Sequence, residues 1–229
     1  MRPRWRRCLQ ATSGSRRVPK FPGPPDPTTL AARAPISAHE FRRVEPGALL
    51  WRIHRAAGAH VSPWDTLRTY GPTDARFDPH PLPRGDHPGF GVLYLGDSAI
   101  TALAEAFQLR RAIDRHTDTP YLIGLHLARQ VELLDLGGAW PTRAGASQAI
   151  NTGPRGRARA WARAIRQAWP DLDGLAYPSS MHGGASCFVL WPPAADAVPS
   201  RPEVSLPLDA PVLLGPLKRV ADELGYQLW

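Results

Sequence analysis

Gly91-Val-Leu-Tyr-Leu-Gly-Asp-Ser-Ala-Ile-Thr-Ala-Leu-Ala-Glu-Ala-Phe-Gln-Leu109 is the stretch that decides how this chain folds. Its first five residues form a short apolar run that reads as a buried strand. Gly96-Asp97-Ser98 follows as a turn with a residue suited to capping a helix. From Ala99 to Leu109 the composition is that of a buried helix, and Glu105 is the only charged residue in it. A carboxylate in such a place costs free energy unless it has a partner or a chemical task. Tyr94, at the strand's end, lies close in sequence to the helix that carries it.

Working outward, Leu49-Leu-Trp-Arg-Ile-His54 alternates. It predicts a strand with Leu49, Trp51 and Ile53 on one face and Leu50, Arg52 and His54 on the other. Residues 58–89 show little periodicity and several proline turns, as a functional loop would. Strands are expected at Tyr121–Leu127, Val131–Leu136, Leu175–Tyr177 and Cys187–Trp191, the last two flanking the loop Pro178-Ser-Ser-Met-His-Gly-Gly184. Ala158, Trp161, Ala162, Ile165 and Ala168 share one helical stripe, with Arg157, Arg159, Arg163 and Arg166 read as its solvated face. A last helix is expected near Pro216–Leu224.

The 229 residues, 43% of them hydrophobic, suit a single well-filled domain. Net charge is +8, yet residues 1–45 hold ten arginines and lysines against Asp26, Glu40 and Glu45, a net of +7. The basic balance therefore belongs to the N-terminal arm, where it signals either a solvated extension or an arm that grips nucleic acid. Pro19 to Pro35 is crowded with proline and reads as an extended linker that packs no core. Residues 1–40 are thus expected to be a disordered, basic, Pro-rich extension, of which Met1 to Pro35 should be dispensable for the catalytic rate, and residues 41–229 the catalytic domain. Met1–Arg17 is acid-free like a transit peptide, but arginine is abundant throughout the chain and the signal is weak. No run approaches the roughly 18 apolar residues of a membrane span, so a soluble, cytoplasmic protein is expected.

Cys8 and Cys187 are the only cysteines, too few for a disulfide framework or a cysteine zinc site. The histidines lack metal-ligand spacing, and no metal is expected. Gly89-Phe-Gly91 runs into a strand instead of opening a helix, and no phosphate loop ends in Gly-Lys-Ser/Thr, so neither a Rossmann turn nor a P-loop is present. Ser179, Ser180 and His182 lack the Gly-x-Ser-x-Gly elbow of a serine hydrolase.

Five blocks in order carry a resemblance: Leu50-Trp-Arg-Ile53, Ala75-Arg-Phe77, Val92-Leu-Tyr-Leu95, Ala102-Leu-Ala-Glu105 and Gly174-Leu-Ala-Tyr-Pro-Ser179. Together, over roughly Phe41 to Trp191, they resemble the RES domain, many members of which are toxins of RES–Xre toxin–antitoxin pairs. The resemblance implies an α+β fold like that of ADP-ribosyltransferases, with a mixed central β-sheet and flanking helices. It implies destruction of NAD⁺ at its nicotinamide–ribose bond, with NAD⁺ as substrate and no cofactor. On this carry-over Arg52 and Arg76 match the family's arginines, Tyr94 its tyrosine, Glu105 its glutamate and Ser179 its serine. Ser180 competes with Ser179. An insert, Asp78 to Pro88, lengthens the stretch between Arg76 and Tyr94. An Xre-type antitoxin is the implied partner, and any DNA contact would run through it. Homo-oligomerisation stays open.

The residue types suit that chemistry in their own right. Cleaving an N-glycosidic bond builds positive charge on the ribose, which a carboxylate such as Glu105 stabilises. Arg52 and Arg76 offer planar forks for a pyrophosphate, Ser179 a hydroxyl donor, and Tyr94 a ring to stack on nicotinamide. Glu105, Arg52 and Tyr94 are therefore the expected catalytic residues, and Arg52, Arg76, Tyr94 and Ser179 the expected NAD⁺ contacts. Hydrolysis, phosphorolysis and protein ADP-ribosylation would share this site and differ in the acceptor. The rival from another class is a non-catalytic nucleic-acid-binding protein acting through the basic arm.

Overall fold

The computed structural model describes residues 19–58 and 61–229. In chain order its strands are β1 (Phe41–Val44), β2 (Leu49–Arg55), β3 (Tyr70–Gly71), β4 (Gly85–Asp86), β5 (Leu93–Gly96), β6 (Ala112–Ile113), β7 (Pro120–His126), β8 (Val131–Asp135), β9 (Gly174–Pro178), β10 (Ser186–Leu190), β11 (Val204–Pro207) and β12 (Gln227–Leu228). Its α-helices are α1 (Pro27–Arg33), α2 (Ala99–Ala106), α3 (Trp140–Ala144), α4 (Ala149–Thr152), α5 (Arg155–Ala168) and α6 (Leu214–Leu224). The eight-stranded sheet runs β1-β8-β9-β10-β5-β2-β7-β11. β8 and β9 pair in parallel and the other neighbours antiparallel, so the sheet is mixed and the fold α+β, as expected.

The alternation in β2 is realised. Leu50 joins a core cluster with Leu93, Leu95, Ile123 and Phe188 on one face, while Trp51 and Ile53 pack on the other against Leu103 of α2, Phe107 just after it and Leu217 of α6. A third cluster seats Ala158, Trp161, Ala162 and Ile165 of α5 against Leu134, Leu175 and Val189 of the sheet. β2 and β5 share a single register pair, Trp51↔Gly96, whereas β2 and β7 share seven, Leu49↔His126 through Arg55↔Pro120. The sheet is thereby divided into two halves joined at one point.

The segment before β1 departs from the expectation of an unpacked linker. Asp26 caps α1 by accepting from the Thr29 N–H at 2.9 Å, and Leu30 and Ala34 are fully buried, with Phe21 beside them. The indoles of Trp140 and Trp161 donate to the carbonyls of Ala34 and Pro22 at 3.0 and 2.9 Å. Outside α1 its prolines limit regular hydrogen bonding, and three apolar side chains and the two carbonyls dock this strap on α3 and α5. Burying Leu30 alone is worth about 2 kcal/mol. The boundary at residue 41 is therefore corrected for residues 19–40. Residues 1–18, the rest of the expected extension, lie outside the described residues.

The arginines of α5 also differ from a solvated face. Arg157 donates to the Phe21 carbonyl, Arg159 pairs with Asp74 at 3.3 Å, Arg163 reaches the His80 carbonyl at 3.5 Å and Arg166 the Pro170 carbonyl. Among the described residues, no helix is long and apolar enough to cross a membrane.

Candidate active site

The split between β2 and β5 opens into a cleft of about 440 Å³. Arg52 and Ile53 line it from the β2 side, Val92 and Tyr94 from the β5 side, and Glu105 from α2. α2 is fixed at its start by Ser98, whose hydroxyl accepts from the Thr101 N–H at 3.3 Å, in the turn expected to cap it. Gly96 allows the helix to lie close to β5, since a Cβ there would meet the Ala102 nitrogen at 3.0 Å. Behind Glu105, Thr101 is wholly buried and bonds to Asp97 at 2.9 Å and to the His182 ring at 2.8 Å. Thr101 has one proton, which goes to the Asp97 carboxylate, so His182 donates from Nδ1. This ties the 178–185 loop to α2.

Glu105 is half-buried and held entirely by neutral donors. Its Oε1 accepts from the Ser179 hydroxyl at 2.7 Å and the Ser180 N–H at 3.0 Å, and its Oε2 from the Gln108 amide at 3.1 Å. Among the described residues, neither Glu105 nor Arg52 forms an ion pair. The two are thus not the structural salt bridge that would give this carboxylate a merely architectural explanation.

Arg52 donates Nη1 to the Trp64 carbonyl at 2.7 Å, and its Nε is buried with no hydrogen-bond partner among the described residues. Burial, then the neighbouring charge of Arg68, lowers its pKa to about 10, which leaves it cationic at neutral pH. Arg76 donates to the Gly153 carbonyl at 2.5 Å; burial and the charge of Arg155 depress its pKa, and the charge of Glu105 opposes them. Tyr94 is partly exposed, but its hydroxyl is enclosed, and burial raises its pKa far above the usual phenol range.

Four of the expected residues, Arg52, Arg76, Tyr94 and Glu105, thus face one cleft. Ser179 lies in the expected loop, but its hydroxyl is turned to the carboxylate. Its proton goes to Glu105, and its oxygen accepts from the N–H groups of Met181 and His182 at 3.1 and 2.9 Å, so nothing remains for a pyrophosphate. Ser179 positions the carboxylate, and Ser180 contributes chiefly its backbone N–H and lines the cleft. Sequence reasoning misses Arg68, Gln108 and Arg155, which also line the cleft. Gln108 alone carries a signal, its i+3 spacing from Glu105. The cleft offers arginines to an anion and, since Asp74 is paired with Arg155 and Arg159, the Glu105 carboxylate to a developing cation. No group of three or more His, Cys, Asp and Glu side chains suited to a metal occurs among the described residues.

Comparison with known proteins agrees with this fold. The RES domain profile matches residues 49–209. The fold is similar to that in the crystal structure of the M. tuberculosis MbcT–MbcA toxin–antitoxin complex. The TM-score is 0.53 at 18% identity, over 83% of this chain and 97% of that one. No curated protein matches the sequence.

Proposed function

Because this chain belongs to the RES domain family, we propose that it consumes NAD⁺ by breaking the nicotinamide–ribose bond and serves as the toxin of a toxin–antitoxin pair. The observation that carries the reading is Glu105, a carboxylate with no ion pair among the described residues, held by neutral donors of Ser179, Ser180 and Gln108 in a cleft that also presents Arg52 and Arg76. A cleft of about 440 Å³ is within the range of ligand pockets.

In this reading Arg52 and Arg76 receive the pyrophosphate, and Tyr94 flanks the nicotinamide ring. As the C1′–N bond breaks, nicotinamide leaves with the electron pair and positive charge develops on the ribose. Glu105 faces that charge or grips the 2′-hydroxyl, an interaction that strengthens only in the transition state. Ser179, Ser180 and Gln108 keep the carboxylate aimed without neutralising it. Water as acceptor yields ADP-ribose and a proton, and phosphate yields the corresponding ribosyl phosphate. A protein side chain would make the enzyme an ADP-ribosyltransferase. NAD⁺ is substrate, and no cofactor is invoked.

The test is incubation of the purified protein with NAD⁺, with and without phosphate, following nicotinamide release by chromatography. Release that vanishes in Glu105→Gln is expected, and no release by the wild type overturns the reading. An Xre-type antitoxin is the proposed partner, with DNA contacted through it. Expression of the chain alone in the cytoplasm should then stop growth and deplete NAD⁺, while Glu105→Gln at equal level should not. Equal arrest by both would favour the nucleic-acid-binding alternative.

A further inference from the structure

Glu105 is fastened from two directions, and the second is tied to a charge it never touches. Gln108 Nε2 donates to Glu105 Oε2 at 3.1 Å and to the Glu105 carbonyl at 2.8 Å. The other end of the same amide accepts from Arg155 Nη2 at 2.8 Å, and Arg155 Nη1 donates to Asp74 at 2.7 Å. A guanidinium has only donors and a carboxylate only acceptors, so the amide oxygen must face Arg155 and its nitrogen must face Glu105. One chain of bonds therefore runs Asp74–Arg155–Gln108–Glu105, joining the 71–80 loop, the start of α5 and the end of α2. Glu105, Gln108 and Arg155 all line the cleft.

We propose that Gln108 is a positioning residue that couples Glu105 to Arg155 while preventing the two charges from pairing, a role that rests on reading Glu105 as the carboxylate facing the ribose. A guanidinium in direct contact would clamp both carboxylate oxygens in a bidentate pair and draw off the charge the reaction needs. An amide between them supplies a neutral donor to Oε2, fixes the rotation of the carboxylate and is itself oriented by the arginine. No full counter-charge touches the carboxylate, so its charge faces the cleft.

The experiment uses the full chain and two variants, Gln108→Glu and Gln108→Leu. Each is followed by the pH profile of NAD⁺ cleavage and by carbon-13 titration of the Glu105 carboxyl. In Gln108→Glu a second carboxylate faces the first, and the acid limb of kcat should move up by about one pH unit. In Gln108→Leu a donor is lost, and kcat should fall about tenfold with KM for NAD⁺ within about twofold. The Glu105 carboxyl should titrate higher in both. Unchanged titration and pH profile in both variants overturn the proposal, as does a loss of thermal stability with no movement of the titration. A wild type that releases no nicotinamide overturns the functional reading instead, and the titration then decides the coupling by itself.

Discussion

Asp78 and Glu105 are both carboxylates taken out of water near one cleft, and the chain uses them in opposite ways. Asp78 is wholly buried and meets Arg68 at 2.9 Å, the Thr73 N–H and hydroxyl each at 2.8 Å, and the Nδ1–H of His80. Its charge is consumed inside the protein, where it fastens the 68–80 loop that forms one wall of the cleft. Glu105 is half-exposed and touches only neutral donors. The arginines divide likewise: Arg68 is paired with Asp78, and Arg52 bonds a carbonyl and has no ion-pair partner among the described residues. A buried charge that meets a full counter-charge is spent on architecture, and one satisfied by dipoles remains free for a ligand.

The sharpest way to break this contrast is Glu105→Gln. It should cut nicotinamide release by about a thousandfold or more while the melting temperature stays within a few degrees. Loss of folding in that variant would place Glu105 with the structural carboxylates. Asp78→Asn should do the reverse. Leaving Arg68 without its counter-charge should lower stability by about 3 kcal/mol, measured by urea unfolding, while the folded fraction turns over NAD⁺ within a few-fold of wild type.

Arg52→Lys should raise KM for NAD⁺ by about ten- to a hundredfold, because an ammonium lacks the planar fork for a phosphate. An unchanged KM would assign Arg52 to the structural class beside Arg68. The smallest expected effect is on acid stability. Burial pushes the Asp78 carboxyl up, but hydrogen bonds from His80 and Thr73 and the charge of Arg68 outweigh it and hold the group well below the ordinary carboxylate range. Its folded-state value is depressed, so its contribution is complete above the ordinary range, begins to fall away as pH drops through that range and is gone below the depressed value. From pH 5 to pH 3 the melting temperature of the wild type should drop by about 3 °C more than that of Asp78→Asn.

Much of the site is legible in the sequence because its information is local. An apolar run, a capping serine and one charge in an otherwise neutral helix place Glu105 without tertiary knowledge, and the alternation around Arg52 assigns its face. Gln108 is harder to see because α2 ends at Ala106, and a neutral amide there looks like any helix-end residue. Ser179 falls in the expected loop but gives its proton to a different recipient, since its geometry depends on how that loop folds against α2. The strap escapes a sequence reading because Phe21, Leu30 and Ala34 have no common period. Their burial is decided by a surface that α3 and α5 assemble from far along the chain. The arginines of α5 escape it for the same reason: periodicity tells which way a side chain leaves a helix, and nothing about the carbonyls waiting there.

The order of strands in the sheet bears on where this chain can be cut. β1 forms one edge and covers β8 along Phe41↔Leu134 through Val44↔Val131, although the RES match begins only at residue 49. Trimming to the matched region would strip that cover and bare the backbone of β8, a strand with buried Val131, Leu133 and Leu134. It would also leave the indole N–H groups of Trp140 and Trp161 without acceptors. An open apolar edge recruits other strands, so the trimmed protein should self-associate through β8 and precipitate, whatever its active site retains. The physical unit of this protein is longer than its family signature by at least the strap and the edge strand.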